Sequence, residues 1–157
     1  MKITRGDVAL AIDIIREAAM WLNDTGKPMW SIEDITEKKL LANAKKENFH
    51  IGWIEGESAG AMILQWSDPI FWPNAKGDSG FIHKLAVRRQ YAGKNVANEM
   101  IDYAIMETKR RKRKYLRLDC AGDRPKLCSF YEHEGFQQVG RKQMGIFDVA
   151  FYEMEIK

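Results

Sequence analysis

Leu85-Ala86-Val87 is an apolar run that passes through the polar turn Arg88-Arg89-Gln90-Tyr91-Ala92-Gly93-Lys94-Asn95 into Val96-Ala97 and the apolar rows of a helix. A strand that reaches a helix in so few residues places a strand end beside a helix N-terminus. The rest of the chain must then provide a sheet for the one and an apolar surface for the other. The first turn of such a helix carries unpaired N–H groups and a partial positive charge, and Gly93 lets an anion approach without a side chain between, so a phosphate site is implied. The turn is neither a Gly-x-x-x-x-Gly-Lys-Ser/Thr loop nor a Gly-x-Gly-x-x-Gly dinucleotide turn.

A chain of 157 residues, 45% hydrophobic and 30% charged, fits a single domain over residues 1–157 that buries about two-thirds of its unfolded surface without disulfides. Cys120 and Cys128 are the only cysteines and have no Cys-x-x-Cys spacing, so no metal is expected and a reducing cytoplasm is the default location. No signal peptide and no run near the roughly 20 apolar residues of a bilayer span is present, so no membrane partner is expected. The net charge of +3 is smaller than the six consecutive cations Lys109 to Lys114, which leaves the remainder mildly acidic. That cluster reads as a solvated helix end, its cations opposing the helix dipole, with no interleaved aromatic to mark a nucleic-acid surface.

Val8, Ala11, Ile12, Ile15, Ala18, Ala19 and Leu22 recur at helical spacing from about Asp7 to Asn23, and Gly26 and Pro28 end that helix. Ser31 is placed to cap a second helix. Residues 49–54 and 59–66 form a hairpin, with Trp53 and Trp66 as sheet core, and 67–74 is a loop with apolar surface to hide. Strands at 79–87, 115–120, 136–139 and 147–156, a helix after Asp123-Arg124-Pro125 ending at Gly135, and a short first strand at Lys2 and Ile3 complete an α/β or α+β class with a mixed sheet.

Downstream lies Leu127-Cys128-Ser129-Phe130-Tyr131-Glu132-His133-Glu134-Gly135-Phe136. Together with Leu85-Ala86-Val87 and the following turn, it resembles the acetyl-coenzyme A signature of the GNAT superfamily of N-acetyltransferases. Ala92 stands where Arg or Gln is usual, and Asn95 where the middle Gly is usual; Asn tolerates positive φ and Ala still exposes its amide, so a backbone cradle survives both. The resemblance implies a mixed, mostly antiparallel sheet of six to seven strands flanked by about four helices. It implies acetyl-CoA as cosubstrate, with the pyrophosphate on the amides of Ala92, Gly93, Lys94, Asn95, Val96 and Ala97 and the pantetheine arm paired like an added strand with Leu85, Ala86 and Val87. Phe130 and Arg124 join that set, and Arg88, Arg89, Lys94 and Lys126 are candidates for the outer phosphates. Tyr131 corresponds to the family tyrosine that faces the thioester sulfur. Its phenol, with a pKa about 10 against about 8.5 for a thiol, suits a hydrogen bond to a departing thiolate better than full proton transfer.

Deprotonating a lysine-like acceptor amine with a pKa of about 10.4 costs roughly 4 to 5 kcal/mol near pH 7, so a base or a water path is required. His83, two residues before Leu85 and on the same face by strand alternation, is one candidate. Asp119 on the neighbouring strand could orient it or act alone; the bland alternative makes His83 a packed bystander and Asp119 a partner of Arg117 or of a turn amide. Cys120 alternates with Leu116 and Leu118 and reads as core rather than acyl carrier. For the acceptor, Trp30 and Trp72 are the aromatic candidates, and Glu33, with Asp34 and Glu37, could attract a cation. The chemistry expected is acetyl transfer to a primary amine, of a small molecule or a peptide, by direct attack in a ternary complex. The alternative is a non-catalytic acyl-CoA sensor, or a nucleic-acid or protein-binding module using residues 109–114. The apolar closing strand offers surface for a homodimer.

Overall fold

Each apolar period found along the chain becomes an element of the computed structural model, which describes residues 1–157. The strands are β1 (Lys2–Arg5), β2 (Phe49–Ile54), β3 (Glu57–Gln65), β4 (Ser79–Val87), β5 (Tyr115–Ala121), β6 (Gln137–Met144) and β7 (Phe147–Glu155). The helices are α1 (Val8–Asp24), α2 (Glu37–Leu41), α3 (Val96–Arg110) and α4 (Pro125–His133). The strand order is β1-β2-β3-β4-β5-β7-β6. β1 pairs antiparallel with β2, β2 with β3, and β7 with both β5 and β6, while β4 and β5 run parallel, which is the mixed, mostly antiparallel sheet expected. The chain resolves into two compact units, residues Met1–Leu64 with Lys84–Asp102 and residues Gln65–His83 with Tyr103–Lys157, so β4 and α3 contribute to both.

In the first unit α1 buries Val8, Ala11, Ile14, Ile15 and Ala19 in a cluster with Phe49, Ile51, Ala61 and Ile63, each fully buried isoleucine contributing about 2 kcal/mol. Asp7 starts the helix by accepting the Leu10 N–H at 3.1 Å. The second helix begins later than predicted. Ser31 heads only one 3₁₀ turn (Ile32–Asp34) and makes no side-chain cap, because fully buried Ile35 leaves helical geometry and the helix restarts when Thr36 accepts the Lys39 N–H at 3.2 Å. The β2–β3 hairpin reverses through Glu55 (φ +49) and Gly56 (φ +82), the paired left-handed conformation of a type I′ turn.

In the second unit β5 alternates strictly, with Leu116, Leu118 and Cys120 buried and Tyr115, Arg117 and Asp119 half-buried. α4 starts at Pro125 with Arg124 rather than Asp123 at its N-cap, and the chain leaves it through Gly135 at φ +103. β6 extends to Met144, well beyond the four residues predicted: its polar side chains carry little hydrophobic signal, and the backbone ladder to β7 defines it. Val149, Ala150 and Tyr152 of β7 are buried within the chain, so Phe147, with Ile146 and Val139, is the apolar surface that hairpin leaves exposed.

Candidate active site

The turn after β4 is built by two left-handed residues, Gly93 (φ +77) and Asn95 (φ +61), immediately before the first residue of α3. Residues 92–95 are exposed. The Ala92 N–H donates to the Arg89 carbonyl at 3.2 Å and the Lys94 N–H to the Tyr91 carbonyl at 3.3 Å. Gly93, Asn95 and the first turn of α3 therefore hold the amides open to an anion. The turn is anchored from behind: the Tyr91 phenol donates to the Glu57 carboxylate, which raises it above the ordinary tyrosine range. Arg88 is committed elsewhere, donating to Glu17 at 2.9 Å, Asp13 at 3.0 Å and the Ser58 carbonyl at 3.1 Å, which corrects its reading as a phosphate ligand. Arg89 lies over the Trp21 ring at 3.7 Å.

β4 itself is interrupted. Lys84 has φ +51, a conformation that a regular strand does not use, and the two-residue alternation breaks there. The expectation that His83 shares a face with Leu85 and Val87 rests on unbroken alternation and does not carry across this point. The Lys84 ammonium sits 5.5 Å from the centre of the Trp30 ring, which is half-buried against the α1 core. Glu33 is exposed on its 3₁₀ turn, and Asp34, one of the three carboxylates read there, is paired with Lys39 at 3.0 Å.

The second unit gathers His83, Asp119 and Asp68, with one ligating atom of each within 4.8 Å of the others. His83 Nε2 lies 3.1 Å from Asp68 Oδ2, yet the pair is not aligned as a hydrogen bond, and neither atom has another hydrogen-bond partner. The other Asp68 oxygen accepts the Phe71 N–H at 3.0 Å. The Arg117 guanidinium holds Glu153 at 2.7 Å, Asp78 at 3.5 Å and the Ser79 hydroxyl at 2.8 Å.

Tyr131 is buried among Phe130, Phe136 and Tyr152, with ring centroids 5.3, 5.9 and 6.2 Å away. Burial, reinforced by the nearby Cys120, Asp119 and Cys128, pushes its phenol well above the ordinary range and keeps it a proton donor. Burial likewise pushes the Cys120 thiol far up, and the half-buried Cys128 directs its sulfur toward the Ala121 and Gly122 carbonyls at 3.7 and 4.0 Å, so neither cysteine is set up as a nucleophile. Arg124 is half-buried beside Asp123 at 3.7 Å, and Lys126 is exposed. Trp72 is turned inward rather than lining an open pocket: it packs edge-on against Phe151 at 5.3 Å and near Phe81 at 6.3 Å, with the Arg117 guanidinium 5.0 Å from its ring.

The basic segment also departs from its sequence reading. Arg111 stacks over Trp66 at 4.1 Å, Arg113 lies 5.8 Å from the same ring, and Arg110 pairs with Glu107 at 2.7 Å. An aromatic distant in sequence therefore accompanies the cluster, and Trp66 is a platform for arginines rather than sheet core. Trp53 is half-buried, its indole N–H donating to Thr4 at 2.8 Å.

Residues 15–136 match the model of the acetyltransferase (GNAT) family. The chain belongs to that family. It is 28% identical over 146 residues to an uncharacterised N-acetyltransferase, YesJ, of Bacillus subtilis (strain 168), covering 84% of this chain and 77% of the relative. Its fold is similar to that of a GNAT acetyltransferase from Listeria monocytogenes 4b F2365, with a TM-score of 0.75, 23% identity and coverage of 98% and 94%. It is also similar to the ribosomal-protein-S18-alanine N-acetyltransferase of Escherichia coli, with a TM-score of 0.72, 19% identity and coverage of 99% and 93%. This GNAT chain is accordingly an acetyltransferase of a family that uses acetyl-CoA, and none of its helices is long and apolar enough to cross a membrane. Sequence reasoning on this GNAT chain missed Asp68, Glu57 and the backbone of Lys84. Asp68-Pro69 carries a turn signal that could have drawn attention to the first, whereas nothing local marks the other two.

Proposed function

We propose that this chain acts over residues 1–157 as one acetyltransferase domain that moves acetyl from acetyl-CoA to a primary amine by direct attack in a ternary complex. The observation that carries the reading is the cluster of His83 with Asp68 and Asp119, which offers two carboxylates to a cationic amine and an imidazole nitrogen to its proton. Acetyl-CoA supplies, when bound, a thioester whose carbonyl carbon takes the new bond to the amine nitrogen as its bond to sulfur breaks. The left-handed turn at Gly93 and Asn95 and the first-turn amides of Val96 and Ala97 suit the pyrophosphate, with Ala92 and Lys94 contributing shape and charge beside them. Leu85, Ala86 and Val87 offer strand edge to the pantetheine arm, and the break at Lys84 gives that edge an amide out of regular register. Phe130 and Arg124 contribute contact and charge to the coenzyme. His83 takes the ammonium proton, which ends beside Asp68 and Asp119, and the second proton, lost from nitrogen as the amide forms, neutralises the departing thiolate. Tyr131, held neutral by burial, donates a hydrogen bond to the thiolate. Trp30 and Glu33 remain the acceptor-side candidates, and Trp72 acts through the loop that carries Asp68.

The test is release of free thiol from acetyl-CoA in the presence of small amines, polyamines and peptides with free N-termini, the E. coli neighbour being named for an alanine of ribosomal protein S18. Turnover with at least one amine class is expected. Tyr131→Phe keeps the ring packing and should lower turnover by about 10-fold or more, the worth of a hydrogen bond to a charged group, with coenzyme affinity within about twofold. No thiol release above buffer with any amine overturns the proposal.

A further inference from the structure

We propose that Asp68, His83 and Asp119 form a binding site for one divalent transition-metal ion of the zinc class. β4 and β5 run in parallel register with Ile82 opposite Leu118, so His83 and Asp119 are the next residues on two adjacent strands, and the loop after β3 adds Asp68. Two ligands thus stand on the sheet, and the third is braced by the Phe71 N–H on its remote oxygen and by the Trp72 N–H on its backbone carbonyl at 2.9 Å. Supports of this kind fix the direction of a metal ligand.

Three features point to a cation rather than to a closed ion pair. The Asp68 side chain is only 6% exposed, and its Oδ2, aimed at His83, has no hydrogen-bond partner. A carboxylate so buried is costly without a compensating charge. The 3.1 Å between Oδ2 and Nε2 would suit a hydrogen bond, but the ring N–H direction misses the oxygen, so the pair stands close without closing on itself. With metal–ligand bonds of about 2.0–2.2 Å, adjacent ligands lie about 2.8–3.1 Å apart around a six-coordinate ion and about 3.3–3.6 Å apart around a four-coordinate one, a range that includes that separation. Two ionised carboxylates and a neutral imidazole neutralise a divalent ion, and one nitrogen with two oxygens and no thiolate favours Zn²⁺, Co²⁺ or Mn²⁺ over soft ions. The coordination sphere is completed by water or a small ligand.

Binding itself does not rest on the acetyl-transfer proposal. One consequence does: the ion and the substrate proton compete for the same imidazole nitrogen, so occupancy lowers turnover.

The experiment titrates chelator-stripped full-length protein with Zn²⁺ by calorimetry and with Co²⁺ by visible d–d absorption, without acetyl-CoA or amine. One ion per chain is expected. Asp68→Asn, close to isosteric, and His83→Gln should each weaken binding at least about tenfold, and loss of the imidazole should alter the Co²⁺ spectrum. His133→Gln, at an exposed helix end, should leave it unchanged. Circular dichroism and the melting temperature establish that the variants are folded. No binding at ~0.1 mM free ion, or binding that survives both Asp68→Asn and His83→Gln, overturns the site. Either result leaves the thiol-release assay untouched, so the two proposals fail separately.

Discussion

Asn95 occupies, at φ +61, the position where the GNAT turn usually carries glycine, and the energy of that substitution can be worked out. An ordinary L-residue held in the left-handed region costs about 1–2 kcal/mol, and Asn escapes part of this through local hydrogen bonding, so Asn95→Ala should cost about 1 kcal/mol. Asn95 is exposed, so little contact energy is added. Gly93→Ala is a purer case: at φ +77 a Cβ would meet nothing within 4 Å, and its cost of about 1–2 kcal/mol is entirely conformational. Where the cost shows depends on whether the turn is pinned. If packing behind the turn holds it left-handed, the melting temperature falls by about 2–4 °C and coenzyme A affinity is unchanged. If the turn relaxes instead, stability is retained and coenzyme A must reimpose the conformation, with affinity falling about fivefold per 1 kcal/mol. The two effects together should amount to about 1 kcal/mol for Asn95→Ala, and Asn95→Gly should be close to neutral in both. Thermal unfolding and calorimetric titration with coenzyme A on the four proteins measure both terms. Unchanged melting temperature and unchanged affinity in Asn95→Ala and Gly93→Ala alike would refute the left-handed cradle.

Gly60 shows the opposite balance, because an added Cβ would stand 2.8 Å from Val96 Cγ1, 2.9 Å from Met100 Sδ and 3.0 Å from the Ala86 carbonyl oxygen, a backbone atom that cannot step aside. Gly60→Ala should lower stability by about 1–3 kcal/mol and weaken coenzyme A binding by displacing the start of α3, read by the same two methods. Arg88→Gln leaves Glu17 and the exposed Asp13 without their cation; it should cost about 1 kcal/mol in denaturant unfolding while coenzyme A affinity stays within about twofold. Tyr131 and Tyr152 are both raised by burial, so the unfolded chain loses their protons first as pH climbs above about 10, and stability should fall from there upward. Spectrophotometric titration should show Tyr131 and Tyr152 ionising only on unfolding, with Tyr91 also late, and a full tyrosine complement titrating reversibly in the folded protein would contradict this.

Elements whose signal is local were legible in the sequence. Helical spacing in α1, alternation in β5 and the left-handed stop at Gly135 each depend on residues within one or two turns, and the structure places them within a residue or two of expectation. β6 was cut short because its polar side chains hide a strand that only its pairing with β7 defines. The same distinction governs the candidate site. The turn was legible because Gly93 and Asn95 lie next to the helix they precede, and Asn95, read as tolerant of a positive φ, has one. The Asp68 contact with His83 joins residues 15 apart through a loop, and the stacking of Arg111 on Trp66 joins residues 45 apart, so no local pattern encodes either. Lys84 is different again, since a lysine carries no preference that would announce a left-handed backbone in mid-strand.

The two units place different demands on the sequence. Turn geometry and first-turn amides in the first unit come from backbone, which tolerates Ala92 and Asn95 in place of the usual residues so long as φ at 93 and 95 stays positive. The chemistry assigned to the second unit comes from side chains: an imidazole nitrogen, two carboxylates and a phenol cannot be exchanged for isosteres without removing a proton acceptor, a charge or a donor. Coenzyme binding should therefore degrade gradually under substitution near the turn, each change costing the increment by which the new residue resists a left-handed φ. Acceptor chemistry should fail abruptly, because Asp68→Asn alters one atom type at a fixed position while leaving volume and packing almost unchanged.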